Sequence, residues 1–468
     1  MLRRLLDSPR TYYALAGILL VVAVLTQFEI RTPARPEGRE AELAALRARD
    51  DVNLLFILVD TLRADRLHAY GHERETSPWM DELARTGVRF ARVVSQSSWT
   101  KSSMASLWTA TYPARNGVLR WGHGLPEEAP LPAERLRDAG FRTAGIFRNG
   151  WVSANFGFGQ GFQGYIRPLP SVSPGKRTPR SHERLKGTDE DVTQAAFEFL
   201  RTYGDERFLL YLHYMDAHQY TYTETSALFG TSYSDAYDNA VHWTDQNIGA
   251  LLLELDELGL RDRTVVVIAS DHGEEFLEHG REGHAKSLYR EVIEVPWIVS
   301  LPFRLEPGVV VETTVENVDI WPTLLDLLGA PALPKTDGRS QLPLIEAALR
   351  GSAEAAPDDS AIAFAQLDRR WGFTKGSSQM LVAVSEGPHR LILSRSPDQA
   401  DGVELFDHRA DPGEAQSIAE DHPELRARLQ EQATSYLARP ALPWGAPLEV
   451  EVSDLERGQL RALGYVVR

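Results

Sequence analysis

Uninterrupted apolar runs mark the chain at Val52–Val59 (VNLLFILV), Phe208–Leu212 (FLLYL) and Thr264–Ala269 (TVVVIA). A strand buried on both faces reads this way, because neither face calls for polar residues. Between these runs lie segments of helical spacing, near Met80–Thr86, Leu131–Ala139, Asp189–Thr202 and Ser234–Leu258. Further strands are expected near Val88–Val94 and Thr143–Phe147. Strands alternating with helices predict an α/β fold, a large and mainly parallel sheet flanked by helices. Asn317–Gly329 (NVDIWPTLLDLLG) predicts the closing helix, and Pro331–Asp358 reads as loop-rich. From Ala361 the texture changes to short strands, AIAFAQ, QMLVAV and HRLILS, with a helix over about Pro423–Leu437. That predicts a small C-terminal antiparallel sheet and helix subdomain.

The N-terminus carries a different pattern. Tyr12–Phe28 (YYALAGILLVVAVLTQF) has no charge, and Arg3, Arg4 and Arg10 precede it. A helix of that length, rising ~1.5 Å per residue, just crosses a bilayer core. Arginines on its N-terminal side hold that end in the cytoplasm, so the remainder is expected outside, in the periplasm or the extracellular space. No small-x-small cleavage site follows the run. An uncleaved single-pass anchor is therefore expected, with a cleavable signal peptide as the alternative. The resulting division is 1–29 anchor, 30–51 juxtamembrane linker helical from about Glu40, 52–345 large domain, 346–440 C-terminal subdomain and 441–468 tail. Pro168–Lys186, polar and rich in proline, reads as a surface excursion near a substrate entrance.

Composition narrows the chemistry. The net charge of -16 argues against nucleic acid as a partner, since a phosphate backbone needs a basic footprint. There is no cysteine, so disulfides and thiolate-bound metals are excluded. Any metal must be held by oxygen and by histidine nitrogen. In an open parallel sheet, sites form beyond the carboxyl ends of the strands. Asp60 ends the first predicted strand, and Asp271 and His272 follow the strand TVVVIA. Two carboxylates and an imidazole thereby project toward one crevice, a set suited to a divalent cation. Asp60 taken alone would sooner be read as a capping or loop-stabilising residue; it is the two strand ends together that favour the metal.

These segments resemble the sulfatase family of the alkaline phosphatase superfamily. NLLFILVDTLRADRLHAYG from Asn53 resembles the family's opening strand, and SSWTKSSMASLWTATYPARNGV from Ser97 its nucleophile segment. SDHGEEFLEHGREGHAKSLYREVIEVPWIV from Ser270 resembles the second metal-binding segment, and ELFDHRADPGEAQSIA from Glu404 the C-terminal strand and loop. The resemblance implies metal ligands Asp60, Thr100, Asp271 and His272, holding one or two ions of Mn²⁺, Zn²⁺, Mg²⁺ or Ca²⁺.

The same alignment shows departures. Counting back from Tyr112-Pro113, the family's Cys-x-Pro-Ser-Arg places Thr100 at the nucleophile position. Ser102 replaces the proline, Ser103 matches the serine and Met104 replaces the arginine. Thr61 stands where many sulfatases have a second aspartate. In sulfatases the cysteine matures to formylglycine, whose second hydroxyl expels sulfate. Thr100 cannot do this. A phosphothreonine is the more tractable intermediate, because an activated water or alcohol can displace it in line. Thr100 also reads as the N-cap of a helix starting near Ser102.

The resemblance further implies His218 or His284 as general acid for the leaving group, with Asp216 orienting His218. Arg148 and Asn149 are expected to contact the anionic group, with Lys286 and His279 as further substrate-binding candidates. His279 also reads as support for a second metal. Lys101 is a further candidate contact, but reads more readily as a solvated surface lysine. The expected function is a metal-dependent hydrolase or transferase acting on phosphate or phosphodiester esters outside the cytoplasm. Its expected substrate is anionic, an envelope glycan or a lipid head-group. A sulfuric ester hydrolase is the alternative, and an inactive envelope-binding relative a further one.

Overall fold

The computed structural model describes residues 35–168, 187–352, 356–373, 377–441, 444–452 and 457–458. The apolar run Tyr12–Phe28, nearly all of the proline-rich excursion and most of the tail lie outside the described residues. Among the described residues, no helix is long and apolar enough to cross a membrane.

Eight strands form the central sheet: β1 (Asn53–Val59), β2 (Val88–Phe90), β3 (Arg142–Phe147), β4 (Gly164–Ile166), β5 (Phe208–Tyr214), β6 (Thr264–Ala269), β7 (Trp297–Ser300) and β8 (Val309–Val311). Their spatial order is β8-β2-β7-β6-β1-β5-β3-β4. The sheet is mixed: β7 runs antiparallel to both β6 and β2, and the other neighbours pair in parallel. Strand β1 explains its own sequence. Leu54, Phe56 and Leu58 enter the core on one face, and Leu55, Ile57 and Val59 the core on the other. Side chains alternate across a strand, so a sheet covered on both faces needs an unbroken apolar run.

Three local expectations change. Val88–Val94 is not one strand. It breaks after Phe90, and Val93–Val94 joins a separate three-stranded sheet with Glu294–Val295 and Val315–Glu316. The stretch read as loop-rich contains a helix, Leu342–Arg350, which buries Leu342, Ile345 and Ala347. Its proline sits in the first turn, where no backbone donor is lost. Residues read as a juxtamembrane linker pack onto the domain. Arg35 donates to Ser300 Oγ at 2.6 Å, Thr86 Oγ1 at 3.0 Å and Leu301 O at 3.2 Å. The helix Glu40–Leu46 buries Leu43 and Leu46.

The C-terminal subdomain is an antiparallel sheet of β9 (Ile362–Asp368), β10 (Met380–Glu386), β11 (His389–Ser396) and β12 (Gln399–Asp407), in that order. The helix Pro423–Leu437 closes it with Leu429, Ala433 and Tyr436. Tyr112 fastens the two halves together. Its ring meets Phe364 and Tyr436, and its hydroxyl donates to Glu316 Oε2 at 2.6 Å.

Candidate active site and metal centre

Four adjacent parallel strands end together. Leu58 of β1 lies level with Ala269 of β6 and His213 of β5, and His213 with Phe147 of β3. The chain beyond those positions carries Asp271 and His272, Asp60, and Arg148 with Asn149. The register therefore delivers chemistry from four strands to one crevice at the carboxyl edge.

Asp60, Asp271 and His272 are fully buried and bring their ligand atoms within 4.8 Å of one another. His272 Nδ1 donates to Gly273 O at 3.0 Å, so in the neutral ring the lone pair is on Nε2. That nitrogen lies 3.3 Å from Asp271 Oδ2 and 3.8 Å from Asp60 Oδ1. Each of these two carboxylate oxygens is buried and has no hydrogen-bond partner. The other oxygen of each is satisfied. Asp60 Oδ2 accepts from Asn149 Nδ2 at 2.7 Å and His213 Nε2 at 3.0 Å. Asp271 Oδ1 accepts from Thr61 N at 3.2 Å and His272 N at 3.0 Å. Two unpartnered carboxylate oxygens and an imidazole lone pair facing one point fit a divalent cation.

The electrostatics agree. Burial and the Asp60 charge push Asp271 up to about 6. Burial would raise Asp60 too, but the hydrogen bond from His213 and the nearby imidazoles hold it well below the usual carboxylate range. Two like charges this close do not ionise independently, and a cation relieves the conflict.

Thr100 is the first residue of the helix Thr100–Thr109, whose N-cap is Trp99. It is therefore not the cap, but sits inside the first turn with Oγ1 3.0 Å from His272 Nε2. The whole helix is buried, so its positive end points into a site of low dielectric, where it favours an anion. Ser103 Oγ donates to Asp271 O at 2.6 Å, and Ser95 Oγ bonds the same carbonyl. The helix Thr100–Thr109 and the loop carrying Asp271 and His272 are thus tied together. Met104, in place of the family's arginine, belongs to the core. Thr61 adopts a left-handed conformation, φ 62°, while its N–H holds Asp271 and its carbonyl accepts from Tyr237 at 2.7 Å. A β-branched residue there costs about 1–3 kcal/mol, a strain located beside the ligands.

His284 stacks on His272 with ring centres 4.4 Å apart, and His218 meets His284 at 5.0 Å. His284 Nδ1 lies 3.1 Å from Glu274 Oε1. Burial lowers His218 to about 4; burial and the neighbouring His272 hold His284 well below its ordinary value. Burial pushes Glu274 up to about 7.

The remaining candidates divide. Asn149 is in the site, but it orients Asp60 and its Oδ1 accepts from Trp151 N. Arg148 is turned elsewhere. Its guanidinium bonds Asp189 at 2.7 Å, Asp216 at 2.6 Å, Gln219 at 2.9 Å and Gly187 O at 2.6 Å. Asp216 is thereby paired with Arg148, with Trp243 Nε1 and with the backbone of Asp189. Lys286 is exposed at the rim and donates to Glu282 O at 2.5 Å. His279 bonds Glu291 and the carbonyl of Glu414, apart from the Asp60 group. Lys101 is not a surface lysine. It is buried, its Nζ donating to Trp121 O and His123 O, 3.3 Å above the Phe156 ring. Sequence reasoning missed His213 and Glu274. His213 is the sixth residue of an otherwise unbroken apolar strand, and Glu274 follows the Asp-His-Gly turn.

Comparison with known proteins converges on this arrangement. Steryl-sulfatase of Rattus norvegicus is 25% identical over 414 residues, covering 65% of this chain and 72% of its own length. The phosphonate monoester hydrolase of Agrobacterium radiobacter superposes with a TM-score of 0.65 at 19% identity, over 83% of this chain and 95% of that one. A protein solved in complex with its substrate D-glucosamine-2-N,6-O-disulfate superposes with a TM-score of 0.64 at 18% identity, over 83% of this chain and 98% of that one. The sequence also matches the Sulfatase family over residues 52–330, more than half of the chain. The chain belongs to the sulfatase family, whose members are metal-dependent, and is an ester hydrolase.

Proposed function

We propose that this enzyme cleaves phosphoric esters, monoesters or diesters, through a covalent intermediate on Thr100, either hydrolysing them or passing the group to an acceptor alcohol. One observation carries the reading: Thr100 Oγ1 lies beside His272 Nε2, at the buried start of a helix and against two unpartnered carboxylate oxygens. The hydroxyl of a threonine attacks phosphorus but cannot be matured to an aldehyde hydrate.

Asp60, Asp271 and His272 would hold a divalent cation, with Thr100 beside them. Their mixed oxygen and nitrogen set accommodates Mn²⁺, Zn²⁺, Mg²⁺ or Ca²⁺. The bound ion supplies Lewis-acid chemistry, lowering the pKa of the Thr100 hydroxyl and neutralising charge on the transferred group. Thr100 would react as the alkoxide, its proton lost to solvent beforehand; its oxygen forms the new P–O bond as the bond to the leaving oxygen breaks, and the second step releases it again as the alkoxide. That oxygen takes its proton from His218 or His284, which an adjacent anionic ester turns toward the protonated form. Glu274 holds the His284 ring with Nδ1 toward itself and so fixes which nitrogen faces the ester. Water or an alcohol then displaces Thr100 in line, giving its proton back to a histidine.

The substrate is an anionic ester, with glycans and lipid head-groups as the favoured classes. A structural relative holds a sulfated glucosamine. The charge-free run Tyr12–Phe28 with its arginine flank supports a single-pass anchor and a catalytic domain outside the cytoplasm. A second reading, sulfuric ester hydrolysis, is favoured by the match to steryl-sulfatase. It requires water to attack sulfur on a sulfated Thr100. A panel of phosphate and sulfate esters, assayed with wild type and Thr100→Ala, separates the two. Phosphoester turnover lost in Thr100→Ala supports the first. Sulfate release that survives the substitution removes Thr100 as nucleophile.

A further inference from the structure

Behind the loop that bears Asp271 and His272 lies a second group of metal-ligating side chains that the reaction does not use. Glu275, His279 and Glu291 each bring one ligand atom within 4.8 Å of the others. Glu275 is fully buried and Glu291 nearly so.

Glu275 is the telling residue. Both of its carboxylate oxygens are buried with no hydrogen-bond partner. The Ser287 hydroxyl lies beside it, close enough to favour its charged form, but the contact falls short of normal hydrogen-bond geometry. Arg281 is the nearby cation, and it acts only through space. A buried carboxylate left unpaired is strongly disfavoured, and an ion is one of the few things that removes the penalty.

His279 completes the case. Its Nε2 lies 3.1 Å from Glu414 O, so that N–H donates to a backbone carbonyl. Its Nδ1 faces Glu291 Oε1 at 2.6 Å, and its ring stacks on Tyr289 at 3.6 Å. An imidazole anchored through its far nitrogen to a carbonyl is oriented as metal ligands are. At 2.6 Å Nδ1 and the Glu291 oxygen share a proton, and a cation in its place would take both atoms as ligands. A proton satisfies Glu291 alone and leaves Glu275 unpaired. A cation satisfies all three.

We propose that Glu275, His279 and Glu291 form a second, structural divalent-cation site, with Zn²⁺ as the ion that fits one imidazole and two carboxylates. Its position gives it a purpose. Gly273 N bonds Val292 O at 3.0 Å and Glu274 N bonds Glu291 O at 3.1 Å, so Glu291 lies against the catalytic loop. Glu414 belongs to the C-terminal subdomain, so an ion here locks that loop to both halves of the molecule.

The test uses the full chain, stripped with chelator, reloaded with Zn²⁺ alone, desalted and assayed for metal content. Wild type is expected to retain two equivalents. Glu275→Gln retains one, and Asp60→Asn/Asp271→Asn retains one. In the Asp60→Asn/Asp271→Asn background, Zn²⁺ should still raise Tm, and adding Glu275→Gln should abolish that rise. One equivalent in wild type that Asp60→Asn/Asp271→Asn abolishes, or a Zn²⁺ content that Glu275→Gln leaves unchanged, overturns the proposal. Should Glu275→Gln fail to fold, anomalous diffraction at the zinc edge from wild-type crystals decides. A peak among Glu275, His279 and Glu291 sustains the site, and no peak there removes it.

Discussion

His272 Nε2 lies 3.0 Å from Thr100 Oγ1. One atom follows strand β6 and the other opens the helix Thr100–Thr109, 172 residues earlier in the chain. Thr100 and the Asp271–His272 loop are thereby built as one unit, tied again where Ser95 and Ser103 both hold the carbonyl of Asp271. Much of the expected behaviour follows from that contact.

Removing the cation should remove activity and stability together. Dialysis against chelator is expected to abolish ester turnover, and adding back a divalent ion should restore it. At an ion concentration a hundred times Kd, binding stabilises the fold by about 2.7 kcal/mol. Turnover that persists after the ion has been shown to be absent would contradict the account.

Under the proposed function, His213 would support cation binding through Asp60. Its Nε2 donates to Asp60 Oδ2, and its Nδ1 accepts from the Tyr211 hydroxyl at 2.7 Å. Such supporting residues typically contribute 10- to 100-fold in metal affinity, so His213→Ala should weaken binding by about that factor. Calorimetric titration of the stripped protein checks this. Unchanged affinity would show that Asp60 needs no such support.

Glu274 positions His284, so its loss should depend on the leaving group. In Glu274→Gln, kcat/KM for alkyl phosphoesters is expected to fall by about 10²-fold, the low end for general acid catalysis. Esters of acidic phenols, whose leaving oxygen needs no proton, should fall far less. An equal fall for both classes would mark Glu274 as merely structural.

Acid should act on His408 in the C-terminal subdomain. Burial and the guanidinium groups of Arg390 and Arg92 lower His408 from 6.5 to about 2. A depressed folded-state pKa gives stability that is fully present above 6.5 and is lost as pH falls toward 2. The slope reaches about 1.4 kcal/mol per pH unit for one proton. Urea unfolding between pH 7 and 4 should therefore steepen in wild type relative to His408→Gln. Parallel pH profiles for the two would show that His408 does not take up the proton.

The sequence made Asp60, Asp271 and His272 visible because a carboxylate closing a buried strand stands out against apolar neighbours. The central strands were visible for the same reason. What stayed hidden depends on partners far along the chain. Arg148 looked like an anion contact, yet Asp189 and Asp216, 41 and 68 residues away, take its charge inside the protein. Lys101 looked solvated, yet Trp121, His123 and Phe156 enclose it. His213 hid within an apolar run, and its role appears only once β5 is paired with β1. The helix Leu342–Arg350 was masked by a proline that its first turn accommodates.

Trapping the intermediate tests the central claim most directly. Wild type is mixed with a phosphodiester, quenched in acid within the first turnovers, digested and analysed by mass spectrometry. The account predicts a peptide phosphorylated on Thr100, absent from Thr100→Ala, which should also lose turnover. An unmodified Thr100 under steady turnover, with activity surviving in Thr100→Ala, would contradict it.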